Sequence, residues 1–208
     1  MAGIEDQILL NALWVVWCVF HSVLISHAII DLMKRKLGEL FTYYRIIFVL
    51  VSIGTLLPLF FFQVSLPHSV LFNWHESWQY LRIAMILYAG MCIIGGFWAY
   101  DVQYVIGIRQ IRLYMVRSSE PLHSMETKGI LRYVRHPWYA AGLMLVWAGG
   151  TITDVNVSVR IILSVYLIVG TYLEERKLLV EIGEPYEKYR EEVPMYFPVG
   201  IFSGARKK

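Results

Sequence analysis

The runs WYAAGLMLVWAGGTI at 138–152 and SVRIILSVYLIVGTY at 158–172, joined by TDVNV at 153–157, decide how the chain folds. Each run has fifteen residues, about 22 Å of helix against a hydrocarbon core of roughly 30 Å. Neither spans comfortably alone. Joined by the short turn they predict a helical hairpin, whose feet must extend as polar helix into the interface or into a protein-lined cavity.

Working outward from the hairpin, three more apolar runs appear at 8–30, 46–66 and 83–100. The first carries no charge and follows Glu5 and Asp6, where a signal peptide would have Lys or Arg, so it is expected to stay as a spanning helix. The second contains Pro58 and predicts a kink. The third is rich in small residues, with Gly95 and Ala99 at the spacing that lets helix backbones approach closely. The fold class expected is therefore an all-α integral membrane protein. It would have five transmembrane helices, a C-terminal helical hairpin and an amphipathic cytosolic tail, with residues 1–208 forming a single polytopic domain.

Composition agrees: 57% of residues are apolar and 17% charged, with a mean hydropathy of +0.52. The net charge of +3 is too small for a nucleic-acid binder. Cys18 and Cys92 both lie inside apolar runs and support neither a disulfide framework nor a thiolate metal site, and no metal is expected. Four Lys or Arg follow the first run, six lie between the third and fourth and seven follow the fifth, leaving Arg82 and Arg160 for the other face. With positive residues inside, the N-terminus is expected outside and the C-terminus in the cytosol.

Polar chemistry concentrates at the two feet of the hairpin, in GILRYVRHPWY at 129–139 and EERKLLVEIGEPYEKY at 174–189. From the turn near Asp154, His136 is eighteen residues back and Glu175 twenty-one on, so antiparallel helices place them at similar depth. Pro137 fits a first helical turn. The free N–H groups there, with Arg135 and His136, suit a carboxylate, while Glu174 and Glu175 suit an ammonium group. A zwitterionic amino acid fits this pairing. The same residues also read as ion pairs fixing helix depth, and spacing alone does not separate the two. On the first run, Asn11, Cys18, His21, Ser22 and Ser26 share one face that must look inward. His21 and Ser22 there could line an acceptor pocket, with His21 as a base, or hydrogen-bond across helices.

Gly129, Arg132-Tyr133, Arg135-His136-Pro137, Tyr139, Glu174-Glu175, Gly183, Tyr186, Tyr189, Val193-Pro194 and Pro198 together resemble the isoprenylcysteine carboxyl methyltransferase superfamily. His21-Ser22 and Met195 look like its NnrU and methanethiol S-methyltransferase branch. The resemblance implies S-adenosylmethionine as cofactor, bound at the cytosolic interface by residues within about 129–198. Carried over by position, His136, Tyr139 and Glu175 would contact the cofactor, supported by Glu174, Gly129, Tyr133 and Arg135; Arg135 and His21 are the catalytic candidates. Carboxyl-methylating members have Arg where this chain has Met195, which favours a small or lipophilic thiol as methyl acceptor over a carboxylate. The implied partners are that acceptor and the lipid bilayer. Other readings are an isoprenylcysteine carboxyl or phospholipid methyltransferase, an NADPH-dependent sterol-type reductase with a similar Arg-His-Pro-x-Tyr element, and a non-enzymatic NnrU-like accessory protein.

Overall fold

The structure, a computed structural model, describes residues 2–118 and 127–198. It is mostly helical. Four helical stretches among the described residues are long and apolar enough to cross a membrane: Ile4–Leu24, His27–Ser65, Ser77–Ala99 and Asn156–Ile182. The chain divides into two compact units.

The first unit comprises the described residues of Met1–Phe72, Asp101–Leu122 and Ile152–Ile162. Its helices are α1 (Ile4–Leu24), α2 (His27–Leu37), α3 (Tyr44–Ser65), α5 (Val102–Ile106) and α6 (Ile108–Met115). A 3-10 turn over Gly38–Tyr43 links α2 to α3. The expected span at 8–30 is displaced toward the N-terminus, because Ser26 takes an extended conformation and its hydroxyl donates to the Val23 carbonyl. Local side-chain bonding of this kind competes with helix continuation. The expected span at 46–66 matches α3, and Pro58 lies inside it without ending it. Part of the expected polar face of α1 packs inside the unit: Ser158 Oγ donates to Asn11 Oδ1 at 2.8 Å, Cys18 is buried, and His21 stacks on Trp17 and tilts against Phe48, whereas Ser26 lies beyond the end of α1. A two-stranded antiparallel ribbon, β1 (Val70–Phe72) with β2 (Ile152–Thr153), is fixed by Asp154, whose Oδ1 accepts from the Ser69 N–H at 2.8 Å.

The second unit comprises the described residues of Asn73–Tyr100, His123–Thr151 and Leu163–Lys208. It holds α4 (Ser77–Ala99), α7 (Pro137–Ala148), the larger part of α8 (Asn156–Ile182) and α9 (Glu184–Glu192). The core is Ala89, Cys92, Val134, Ala140 and Ala141. α4 begins six residues before the expected 83, and Arg82 in its early turns donates to the Ala148 carbonyl at the end of α7. α7 is twelve residues, about 18 Å, and stops at Gly149 where 138–152 was expected. α8 runs ten residues beyond the expected 172, since hydropathy falls at Glu174 while the Glu-Glu-Arg-Lys-Leu-Leu sequence keeps a high helix propensity. The charged stretch after Tyr172 therefore continues α8 as far as Gly183, at φ +74°, and Pro185 sits in the first turn of α9.

Gly96 is the close-approach point of α4 and α7. A Cβ there would overlap the indole of Trp138, whose Nε1 donates to the Ile93 carbonyl and whose ring lies 4.7 Å from that of Tyr100. Gly96→Ala is expected to destabilise the protein by about 1–3 kcal/mol through overpacking, read as a lower unfolding temperature in detergent. Gly90→Ala, whose Cβ would meet nothing within 4 Å, is the control that should not lower it.

Candidate functional site

The site lies in the second unit and begins with the short approach to α7. Gly129–Arg132 forms a 3-10 turn, and the chain then straightens so that the Arg135 and His136 N–H groups donate to the Pro194 and Met195 carbonyls at 3.0 and 3.1 Å. His136 is the N-cap of α7 and Pro137 its first residue, as the sequence indicated.

Arg135, 9% exposed, spends its guanidinium on protein groups. Its Nε and Nη2 lie 2.8 and 2.7 Å from Glu175 Oε1, and its Nη1 donates to the Arg190 carbonyl at 2.7 Å and to the Val193 carbonyl. The same carboxylate oxygen accepts from His136 Nε2 at 3.2 Å and from the Tyr186 hydroxyl at 3.5 Å, while Arg190 Nε stands 3.6 Å from Oε2. The two charged stretches, 129–139 and 174–189, thus meet, but as partners of each other. Arg135 is not held free for a ligand carboxylate and Glu175 is already neutralised.

Beside this cluster is a cavity of about 170 Å³, about 550 Å³ when all atom-free space out to its open mouth is counted. Arg135, His136, Glu174, Tyr100, Tyr186 and Tyr189 form its polar and aromatic wall, and Leu131, Leu178 and Ile182 its apolar one. Glu174 is the carboxylate facing this space. It lies near Tyr139 and makes no ion pair among the described residues. Tyr189 also donates to the Leu131 carbonyl at 2.6 Å, tying α9 to the turn that precedes α7.

Burial outweighs the neighbouring carboxylates at His136, lowering its pKa from the ordinary 6.5, so the ring is neutral at pH 7. With Nε2 donating to Glu175, its Nδ1 is an acceptor. Burial first, then the nearby carboxylate, raises the phenols of Tyr100 and Tyr186, and burial pushes Tyr189 up to about 12, so all three remain protonated donors.

Of the candidates, Arg135, His136, Glu174 and Glu175 come together here, with Tyr139 near Glu174. Gly129 and the half-exposed Tyr133 do not line the cavity, and His21 belongs to the first unit. Sequence reasoning missed Leu178 and Ile182, although they repeat every four residues from Glu174 on one stripe of α8. It also missed the grip of Arg135 on the Arg190 and Val193 carbonyls, which no residue type announces.

Several curated proteins are similar to this chain. The methanethiol S-methyltransferase of Crocosphaera subtropica is 32% identical over 94 residues, 45% of this chain and 37% of that protein. Methanethiol S-methyltransferase 2 of Bradyrhizobium diazoefficiens is 29% identical over 160 residues, 74% of this chain and 59% of its own length. The methanethiol S-methyltransferase of Pseudomonas deceptionensis is 33% identical over 95 residues, 45% and 36% of the two lengths. The chain is similar to methanethiol S-methyltransferases, the branch to which its own motifs point. Its matches span between about a third and three fifths of the lengths of these methanethiol S-methyltransferases. No family model and no solved structure matches it.

Against that methyltransferase background, the buried Arg135–Glu175 pair is a scaffold element whose loss is costly. Removing one member leaves the other charge buried and unpaired, at roughly 3–5 kcal/mol. Arg135→Gln and Glu175→Gln are each expected to lower detergent unfolding stability by about that amount. The double variant should lose less than the two singles together, giving a coupling energy of roughly 0.5–3 kcal/mol in a double-mutant cycle.

Proposed function

We propose that the chain is an S-adenosylmethionine-dependent membrane methyltransferase that methylates a small or lipophilic thiol. The observation that carries this reading is Glu174, a carboxylate without an ion pair among the described residues, facing a phenol-walled cavity in a chain similar to methanethiol S-methyltransferases. Residues 129–198 would form the cofactor-binding part of one polytopic unit. α7 and α8 would act as the hairpin of a five-span arrangement with α9 as its amphipathic tail, the N-terminus outside and the C-terminus cytosolic.

The donor set fits the cationic amino-acid end of such a cofactor. Glu174 offers the counter-charge, and Tyr100, Tyr186 and Tyr189 offer aromatic faces and hydroxyl donors suited to a cation and a carboxylate. The enclosed part is below the roughly 300 Å³ of an ordinary ligand pocket, a range reached only with the open mouth counted. When bound, the cofactor supplies a methyl group already activated on a sulfonium.

The protein's own contribution is placement and exclusion of water. Arg135 is a positioning residue: through Glu175 it sets the depth of α8, and through the Arg190 and Val193 carbonyls it holds α9 as one wall. His136, neutral with Nδ1 as an acceptor, could bind the ligand's ammonium or take a thiol proton. Met195, where a carboxyl-methylating enzyme would have a cation, supports a neutral acceptor over a carboxylate. The role of His21 as a base is a proposal of the same kind and rests on the resemblance; in the first unit its ring packs among Trp17 and Phe48.

Methyl transfer from radiolabelled S-adenosylmethionine by the purified protein in bilayers tests this, over methanethiol, longer thiols, a farnesylcysteine analogue and phosphatidylethanolamine. Labelled thioether from a thiol, reduced at least tenfold in Glu174→Gln, is the expected result. Label only in the farnesylcysteine ester or the lipid would replace the thiol assignment, and no label in any acceptor would overturn the methyltransferase reading.

A further inference from the structure

The first unit carries a second surface that the methyl-transfer reading does not use. α2 and α6 pack on the same 3-10 turn at Gly38–Tyr43: Thr42 Oγ1 donates to the Gln110 carbonyl at 3.0 Å, Tyr114 donates to Glu39 at 3.0 Å, and Lys34 lies over the Phe41 ring. Gly107, at φ +94°, lets α5 turn sharply into α6 against the start of α3, where a Cβ would stand 2.8 Å from the Ile46 nitrogen. The result is a platform of two short amphipathic helices.

Lys34 lies over Phe41 and Arg35 donates back to the Asp31 carbonyl within α2, and five further cations divide by what they do. Arg45 and Arg109 are turned to internal work, Arg45 donating to the Val105 carbonyl and Arg109 pairing with Asp101. Lys36, Arg112 and Arg117 are exposed and make no ion pair among the described residues. Arg117 sits at φ +52°, a left-handed position that favours glycine, where the Ser118 N–H closes back on the Leu113 carbonyl. Large apolar side chains stand exposed among these cations: Leu37, Leu40, Ile108, Met115 and Val116.

We infer that this platform binds anionic phospholipid, its cations on the phosphodiester headgroups and its apolar side chains on the upper acyl chains. The mixture decides the class of ligand. A nucleic acid or an acidic protein would use the cations and leave the five apolar residues in water, whereas the headgroup boundary satisfies both. Short basic amphipathic helices in a chain with membrane-crossing helices lie where that boundary is available.

Native mass spectrometry of the full chain, released from micelles doped with phosphatidylglycerol or with phosphatidylcholine of the same acyl chains, tests this. Phosphatidylglycerol is expected to be retained preferentially. In K36Q/R112Q/R117Q its apparent dissociation constant should rise by roughly fivefold per charge removed, while K36R/R112K/R117K and K177Q/K188Q, a control in the second unit, keep the original value. Equal retention of the two lipids, or unchanged retention in the triple Gln variant, would overturn the inference. Displacement of the lipid by excess soluble glycerol phosphate would overturn the lipid as ligand in favour of a free phosphate ester. An unfolding temperature equal to the parent's shows that the variants are folded, so a loss of retention reads as loss of the surface.

Discussion

One buried guanidinium holds the candidate site together. Arg135 brings the start of α7, the later part of α8 and the end of α9 to a single point, because its donors reach the Glu175 carboxylate and two backbone carbonyls at once. A lysine could not replace this, since a single ammonium lacks the planar fork that addresses three groups in fixed directions. Everything else at the site leans on that point: His136 takes its orientation from the same carboxylate oxygen, and Tyr186 adds a hydroxyl to it.

The pairing also divides labour between two adjacent glutamates. They are one residue apart on a helix, about 100° in angle, so they cannot face the same way. Glu175 turns to Arg135 and becomes part of the framework, whereas Glu174 turns to the cavity and to Tyr139. A buried ion pair contributes little net stability once its desolvation is counted. Its value here is geometric: it fixes which carboxylate is left with its charge available in a space walled by protonated phenols.

Much of this was legible in the sequence, for reasons that differ by element. The meeting of His136 with Glu175 followed from counting residues either side of the turn near Asp154, because helix rise is uniform. Helix α3 was legible at its C-terminal end because apolarity and helicity stop together there. They do not stop together in α8, where the charged stretch after Tyr172 continues the helix, nor in α7, where Gly149 ends the helix before the apolar run ends. The opposed roles of Arg135 and the glutamates were half legible: charge suggested convergence, but whether they would face a ligand or each other depends on side-chain directions that spacing does not specify. The contacts of Arg135 with the carbonyls at the end of α9 left no mark on residue type, because a backbone carbonyl is the same at every position.

Isothermal titration of S-adenosylmethionine into the detergent-purified chain, with NADPH and haem titrated in parallel, bears most directly on the central claim. Saturable binding of S-adenosylmethionine, weakened in Glu174→Gln while the unfolding temperature is kept, is the result this account requires. Binding of NADPH or haem in its place, or S-adenosylmethionine affinity indifferent to Glu174, would contradict it.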